Sequence, residues 1–171
     1  MLTKLKLRFY GDACLRKKSL PVKDIGPAQR LLIQSMIQTM HEEKGIGLAA
    51  PQIGINERIF VVDTGEGDGP FALINPHIIQ KKGQETMTEG CLSLPGINVD
   101  VKRAATISVE YLDEENRLHR RECTDLLARV IQHENDHLNG KLIIDYMSVK
   151  DRIKARKQLK QIKESSTEKK K

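Results

Sequence analysis

The stretch IQHENDHLNG, Ile131 to Gly140, decides how this chain is read. Two histidines, His133 and His137, stand four residues apart, with Glu134 directly after the first. On a helix turning about 100° per residue, His137 lies about 40° from His133 and Glu134 about 100° from it. The two imidazoles can then grip one ion from successive turns, while Glu134 stands beside that ion, placed to handle a proton more easily than to ligate. Leu127, Ile131 and Leu138 fall between about 120° and 160° on the same wheel, so Glu134 borders both the metal face and the core face. Gln132, Asn135, Asp136 and Asn139 form the opposite, polar arc. A carboxylate at the edge of a core has its pKa raised by desolvation, which suits a general base. The helix is expected from about Thr124 to Leu138, stopped by Asn139-Gly140.

A catalytic metal of this kind needs three protein ligands and an open fourth position. Downstream of the helix the chain offers Asp145, Asp151, Glu164 and Glu168 but no histidine. Cys123 lies ten residues before His133, about 15 Å along a continuous helix, and cannot reach the same ion. Asp145 and Cys91 stay open as the third ligand. Cys91 has the better context, in the turn-rich segment TEGCLSLPG.

The rest of the chain sets the frame. Its 171 residues suit one domain with a core that needs no disulfides. The three cysteines, Cys14, Cys91 and Cys123, are an odd, sparse set, which points to a reducing compartment, the cytoplasm. No apolar run approaches the ~18 residues of a membrane span. The opening MLTKLKLRF alternates apolar and basic residues from Lys4 to Phe9, which reads as a strand and not as a signal peptide. Leu32, Ile33, Met36, Ile37 and Met40 recur with helical spacing between Pro27 and Gly45. Strands are expected at RIFVVD, FALINPHIIQ and TISVEYLD, with DEENR turning the last into LHRREC as a hairpin. Strands before and between two helices, without βαβ alternation, indicate a small α+β domain, its sheets antiparallel or mixed around the ligand helix.

The glycine-rich GIGLAAPQIG imitates a dinucleotide-binding turn, with Asp63 at the end of the next strand. That reading needs a strand before the glycines and a helix after them. Here a helix precedes and Pro51 follows, so the glycines are read as an extended edge for a substrate backbone.

Three segments in order, GIGLAAPQ, EGCLSLPG and QHENDHL, together with YGDACLRKKSLPV near the start, resemble the peptide deformylases from about Tyr10 to Met147. The resemblance implies a metal-dependent hydrolase that removes the N-formyl group from the formyl-methionine of nascent polypeptides, releasing formate. It implies Cys91, His133 and His137 as metal ligands, Glu134 as acid and base, and Gln52 with the Leu92 N–H as oxyanion donors. Ile46, Gly47 and Gly90 are implied as substrate-lining, with Glu89, Leu126, Arg129 and Val130 around the methionine pocket. Ferrous iron is the implied metal, with zinc or nickel as other occupants of a two-His, one-thiolate site. Arg129 departs from the aliphatic residue often found there: its head pairs with an acidic group or the peptide carboxylate, or points to solvent. Arg103 and Glu89 are expected to pair behind the metal site or at the surface.

Charge divides the chain unevenly. Residues 150–171 hold ten Lys/Arg and three Asp/Glu, while the other 149 residues hold 19 and 20. Residues 1–149 are therefore read as the catalytic domain and 150–171 as a basic helical tail that frays at SSTEKKK. The resemblance implies attachment of that tail to ribosomal RNA. Nothing demands more than a monomer. Two other readings share the ligand helix: a zinc endopeptidase with a downstream third ligand, and an RNA-binding module with a closed structural metal.

Overall fold

The computed structural model describes residues 4–67 and 69–168. Helix α1 spans Pro27–Glu42, α2 Asp125–Leu138 and α3 Val149–Glu168. The strands are β1 Gly47–Ala49, β2 Ile59–Val62, β3 Phe71–Lys82, β4 Glu85–Glu89, β5 Val99–Arg103, β6 Thr106–Leu112 and β7 Leu118–Thr124. Five of them form an antiparallel sheet in the order β1-β2-β3-β6-β7, and β4 pairs with β5 in a separate antiparallel sheet. This is the α+β class expected.

Strand β2 shows why the core forms where it does. Successive side chains of a strand point to opposite faces. Ile59 and Val61 meet Ile33, Met36 and Met40 of α1, while Phe60 and Val62 meet Ala128, Val130 and Ile131 of α2. A strand covered on both faces must be apolar throughout, hence the run IFVV. The DEENR segment closes the β6–β7 hairpin as expected, with the Asp113 N–H donating to the Arg117 carbonyl at 3.0 Å.

A third cluster lies under the β4–β5 sheet: Leu94, Ile97, Val99 and Val101 pack with Leu15, Leu142, Ile143 and Ile144. Helix α2 is held between the two sheets, and its polar arc is only partly open: Asn139 is exposed, while Asn135 and Asp136 are half-buried. Gln132 is buried; its Nε2 donates to the carbonyls of Ala104 and Ala128, and its Oε1 accepts the Ala104 N–H. A helix sandwiched by two sheets has little room for a solvated face, so its polar residues are bonded instead.

The opening segment is not a strand. Among the attachments of residues 4–9 are Leu5 N–H to Thr39 Oγ1 at 2.9 Å and Arg8 N–H to the Gln52 carbonyl at 2.7 Å. Their alternation arises because Leu5 and Leu7 pack on the α1 cluster while Lys4 and Lys6 are exposed. The tail does form a helix, and it is docked. Leu159 is buried, Ala155 and Ile162 are half-buried against the third cluster, and Arg152 Nη2 donates to the Ile144 carbonyl at 2.8 Å. Burying one leucine contributes about 1.5–3 kcal/mol toward that docking. Of the expected fraying segment, residues 169–171 lie outside the described residues.

Candidate metal centre and cleft

Helix α2 delivers His133, Glu134 and His137, and the Cys91–Gly96 turn after β4 delivers Cys91. The ligand atoms of Cys91, His133 and His137 lie within 4.8 Å of one another. Cys91 Sγ is 3.3 Å from His137 Nε2. The alternative third ligand, Asp145, is engaged elsewhere, in a two-point ion pair with Arg16 and with the Leu142 N–H at 2.9 Å.

Behind His133 the arrangement is saturated. Its Nδ1 lies 3.0 Å from Glu89 Oε2. Glu89 Oε2 also accepts from Arg103 Nη2 at 2.9 Å, and Oε1 accepts from Arg103 Nε at 2.6 Å and Arg129 Nη1 at 2.7 Å. Four contacts fill the acceptor capacity of a carboxylate. Burial would raise the Glu89 pKa, but the bonds from His133 and Arg103 outweigh it and hold it down at about 2. Burial opposes a charged His133, but the bonds with Cys91 and Glu89 hold its pKa well above the usual value. A metal bound at Nε2 would displace the proton there, while the ionised carboxylate keeps the one on Nδ1. Arg103 and Glu89 are thus a buried pair and not a surface one. Arg103 Nη1 reaches on to Asp136 at 2.8 Å, which also accepts from the Tyr146 hydroxyl at 2.7 Å. Asp136 and Tyr146 were not legible as members of this network; the position of Asp136 inside the helical repeat was the only signal.

Glu134 is buried, and burial pushes its pKa up to about 7 against the opposing charges of His133 and Arg103. That is the range in which a carboxyl both accepts and releases a proton near neutrality. Its Oε2 makes no hydrogen bond among the described residues. The carboxylate packs flat on Gly47, where any Cβ would collide with it. Burial, followed by the charge of His133, drives the His137 pKa well below its usual value, which keeps that imidazole neutral.

Gln52 is turned by its neighbours. Its Oε1 accepts the Ala49 N–H at 2.8 Å, so its NH₂ faces Ser93 Oγ at 3.2 Å and Cys91 Sγ at 3.6 Å. Ser93, unremarked in the sequence, therefore helps aim the amide. The Leu92 N–H has no hydrogen-bond partner among the described residues.

A cleft of about 470 Å³ opens onto this centre. Ile46, Gly47, Gln52, Glu89, Gly90, Leu92, Leu126, Arg129 and Val130 line it together with Cys91, His133 and Glu134. Gly47 belongs to β1, the edge of the large sheet. Glu89 lines the cleft but turns its carboxylate inward. The Arg129 head does the same, donating to Glu89 and to the carbonyls of Val101 and Glu85, each carbonyl at 2.9 Å. Of the alternatives for this residue, pairing with an acidic group is the one observed.

The donor set fits a first-row divalent metal: two imidazoles and a thiol converge, with an unpaired carboxylate oxygen beside them. A family model described as Polypeptide deformylase matches residues 4–153. The peptide deformylase of Halothermothrix orenii is 48% identical over 141 residues, covering 82% of this chain and 92% of the relative. The peptide deformylase 1 of Clostridium perfringens is 49% identical over 140 residues, covering 82% and 95%. Among solved structures, a peptide deformylase from Legionella pneumophila superposes with a TM-score of 0.89 at 37% identity, covering 96% of this chain and 98% of that one. Geometry and likeness agree, and the chain belongs to the polypeptide deformylase family.

Proposed function

We infer that the cleft performs the reaction of its family: metal-dependent hydrolysis of the formamide on the N-terminal formyl-methionine of nascent chains, releasing formate. The observation that carries this reading is the convergence of Cys91, His133 and His137 at the cleft, beside a Glu134 carboxylate whose Oε2 has no partner among the described residues. Those three residues hold the metal, and ferrous iron is the ion we assign, with zinc or nickel as substitutes. When bound, the ion supplies Lewis-acid chemistry, lowering the pKa of water toward about 7 and polarising the formyl oxygen.

The chain's own residues do the rest. Glu134 takes the proton from the attacking water and delivers it to the departing amine. Gln52 Nε2 and the Leu92 N–H donate to the formyl oxygen as it gains charge; one such donor typically supplies about 2.7–4 kcal/mol. The β1 edge at Ile46 and Gly47, with Gly90 opposite, pairs with the peptide backbone. Leu126, Val130 and the Arg129 stem wall the methionine side chain.

Formyl-Met-Ala-Ser incubated anaerobically with metal-loaded protein is expected to yield formate. No formate would overturn the reading, and cleavage of internal bonds would favour the endopeptidase.

Residues 1–149 form the catalytic unit and 150–171 an attached basic helix, whose outer face meets ribosomal RNA. Leu159, Ala155 and Ile162 turn inward, while Val149 and Ile153 stay exposed beside Lys150, Lys154, Lys157 and Lys160. Truncation would strip Leu159 from the core, so charge is the cleaner probe. Changing those four lysines to glutamine is expected to weaken co-sedimentation with ribosomes and flatten its salt dependence, by about 0.7–0.9 in slope per lost phosphate contact. Unchanged co-sedimentation would rule this face out. A monomer suffices for this site, since Cys91, His133, His137, Glu134 and Gln52 converge within one chain. No helix among the described residues is long and apolar enough to cross a membrane. The cytoplasm, where formylated chains emerge, is the assigned compartment.

A further inference from the structure

We propose that Arg129 is a positioning residue of the metal centre, bracing the strand that leads to Cys91 against the helix that carries His133 and His137. The problem it addresses is mechanical. Two ligands sit on α2, packed between two sheets, whereas the third sits on a turn two residues beyond the end of β4. A two-stranded sheet such as β4–β5 is marginally stable alone. Four of the five β4 residues are exposed, so apolar packing gives that strand little hold on the helix.

Arg129 crosses this gap. It lies one turn before His133 on α2 and is buried. Its guanidinium makes three contacts at once: Nη2 to the Glu85 carbonyl at the start of β4, Nη1 to the Val101 carbonyl in β5, and Nη1 to Glu89 Oε1 at the end of β4. One planar group thus ties both strands to each other and to the helix. The fork geometry matters, because a point charge could not span two strands and a carboxylate. Arg103 forms a second tie of opposite direction, from β5 to Asp136. The two attachments on α2 flank His133, and two points fix an angle where one fixes only a distance. Glu89 joins them and touches His133 Nδ1. Arg129 therefore reaches the metal centre by two routes, the course of β4 toward Cys91 and the orientation of His133. Both of its Nη atoms are engaged away from the cleft, and its Nε is buried with no partner among the described residues, so a role in binding a substrate carboxylate is not assigned.

This inference rests on the Cys91, His133 and His137 metal reading, and cobalt separates the two. Wild-type protein loaded anaerobically with Co²⁺ is expected to show thiolate-to-cobalt absorption; its absence would sink the metal reading itself. Arg129→Met keeps a straight apolar stem in the cleft and removes the fork. Loss of a group that orients metal ligands typically costs 10–100-fold in affinity, so Co²⁺ Kd by chelator competition is expected to rise about 10–100-fold. The cobalt bands should shift, and kcat should fall more than KM rises. Arg129→Lys keeps the buried charge and guards against a Met variant that fails to fold; it should recover only part of the affinity. Full recovery with lysine would show that charge alone suffices and overturn the brace. Unchanged Kd and bands in both variants, or a change confined to KM, would overturn it as well.

Discussion

Replacing Glu134 by alanine is expected to lower deformylation turnover by about 10²–10⁴-fold while the protein keeps its metal, as befits a general acid–base group. The separation of the two effects follows from geometry. Glu134 sits on the ligand helix but beside the ligand cluster, and the three converging ligand atoms belong to other residues. Its Oε2 is buried with no partner among the described residues, a costly arrangement unless the reaction uses that oxygen. Alanine would also open a void over Gly47, so Glu134→Gln is the matched variant, keeping the shape and removing the proton acceptor. Metal content by elemental analysis and formate release by single-turnover assay check both variants. Loss of metal together with activity would make Glu134 a ligand; retained turnover would remove it from the mechanism.

What was legible in the sequence depended on whether one interaction dominated each stretch. The ligand helix was readable because a 3.6-residue repeat sets both its apolar seam and its histidine spacing. Strand β2 was readable because burial on both faces forces a continuous apolar run. The β6–β7 hairpin showed itself through alternation and a turn. By contrast, β4 places Glu85, Thr86, Met87 and Thr88 in solvent and announces nothing. Strand β5 does alternate, but its third inward residue is Arg103, whose burial is tolerable only because Glu89 and Asp136 receive it. Pairing of that kind joins residues far apart in the chain, and no local pattern records it. The misread opening segment shows the converse. Lys4 to Phe9 alternate as a strand does, yet a segment laid across a hydrophobic surface alternates too, with or without a ladder. Gln132 falls on the polar arc of the helix, but helical spacing gives the arc and not what covers it. The cleft residues follow from the family likeness; the network behind them exists only in the folded arrangement. Glu89 is the clearest case, read as pocket wall and found as the hub for Arg103, Arg129 and His133.

Cys91→Ala is expected to lose both metal and turnover, and it discriminates most sharply between the deformylase and endopeptidase readings. An endopeptidase with a downstream ligand would be indifferent to this change, yet the downstream candidate Asp145 is already bound to Arg16 and the Leu142 N–H. With Cys91 gone, two imidazoles on adjacent turns remain, one ligand short of a catalytic site. Removing a group that merely orients a ligand costs 10–100-fold in metal affinity, so removing a ligand should cost more than about 100-fold. Turnover would fall further than occupancy, because an ion held by two imidazoles alone lacks the thiolate, so excess metal would not fully restore it. The objection that alanine deforms the turn is met by the turn itself. The Leu94 N–H donates to the Cys91 carbonyl at 2.9 Å, a backbone bond that side-chain removal leaves in place. Cys91→Asp supplies the remaining control, because a carboxylate oxygen is an acceptable third ligand for zinc. Recovery of zinc binding by aspartate but not by alanine would tie the loss to the donor atom. Equal failure of both would locate it in the turn, and full activity in the alanine variant would exclude Cys91 from the metal centre.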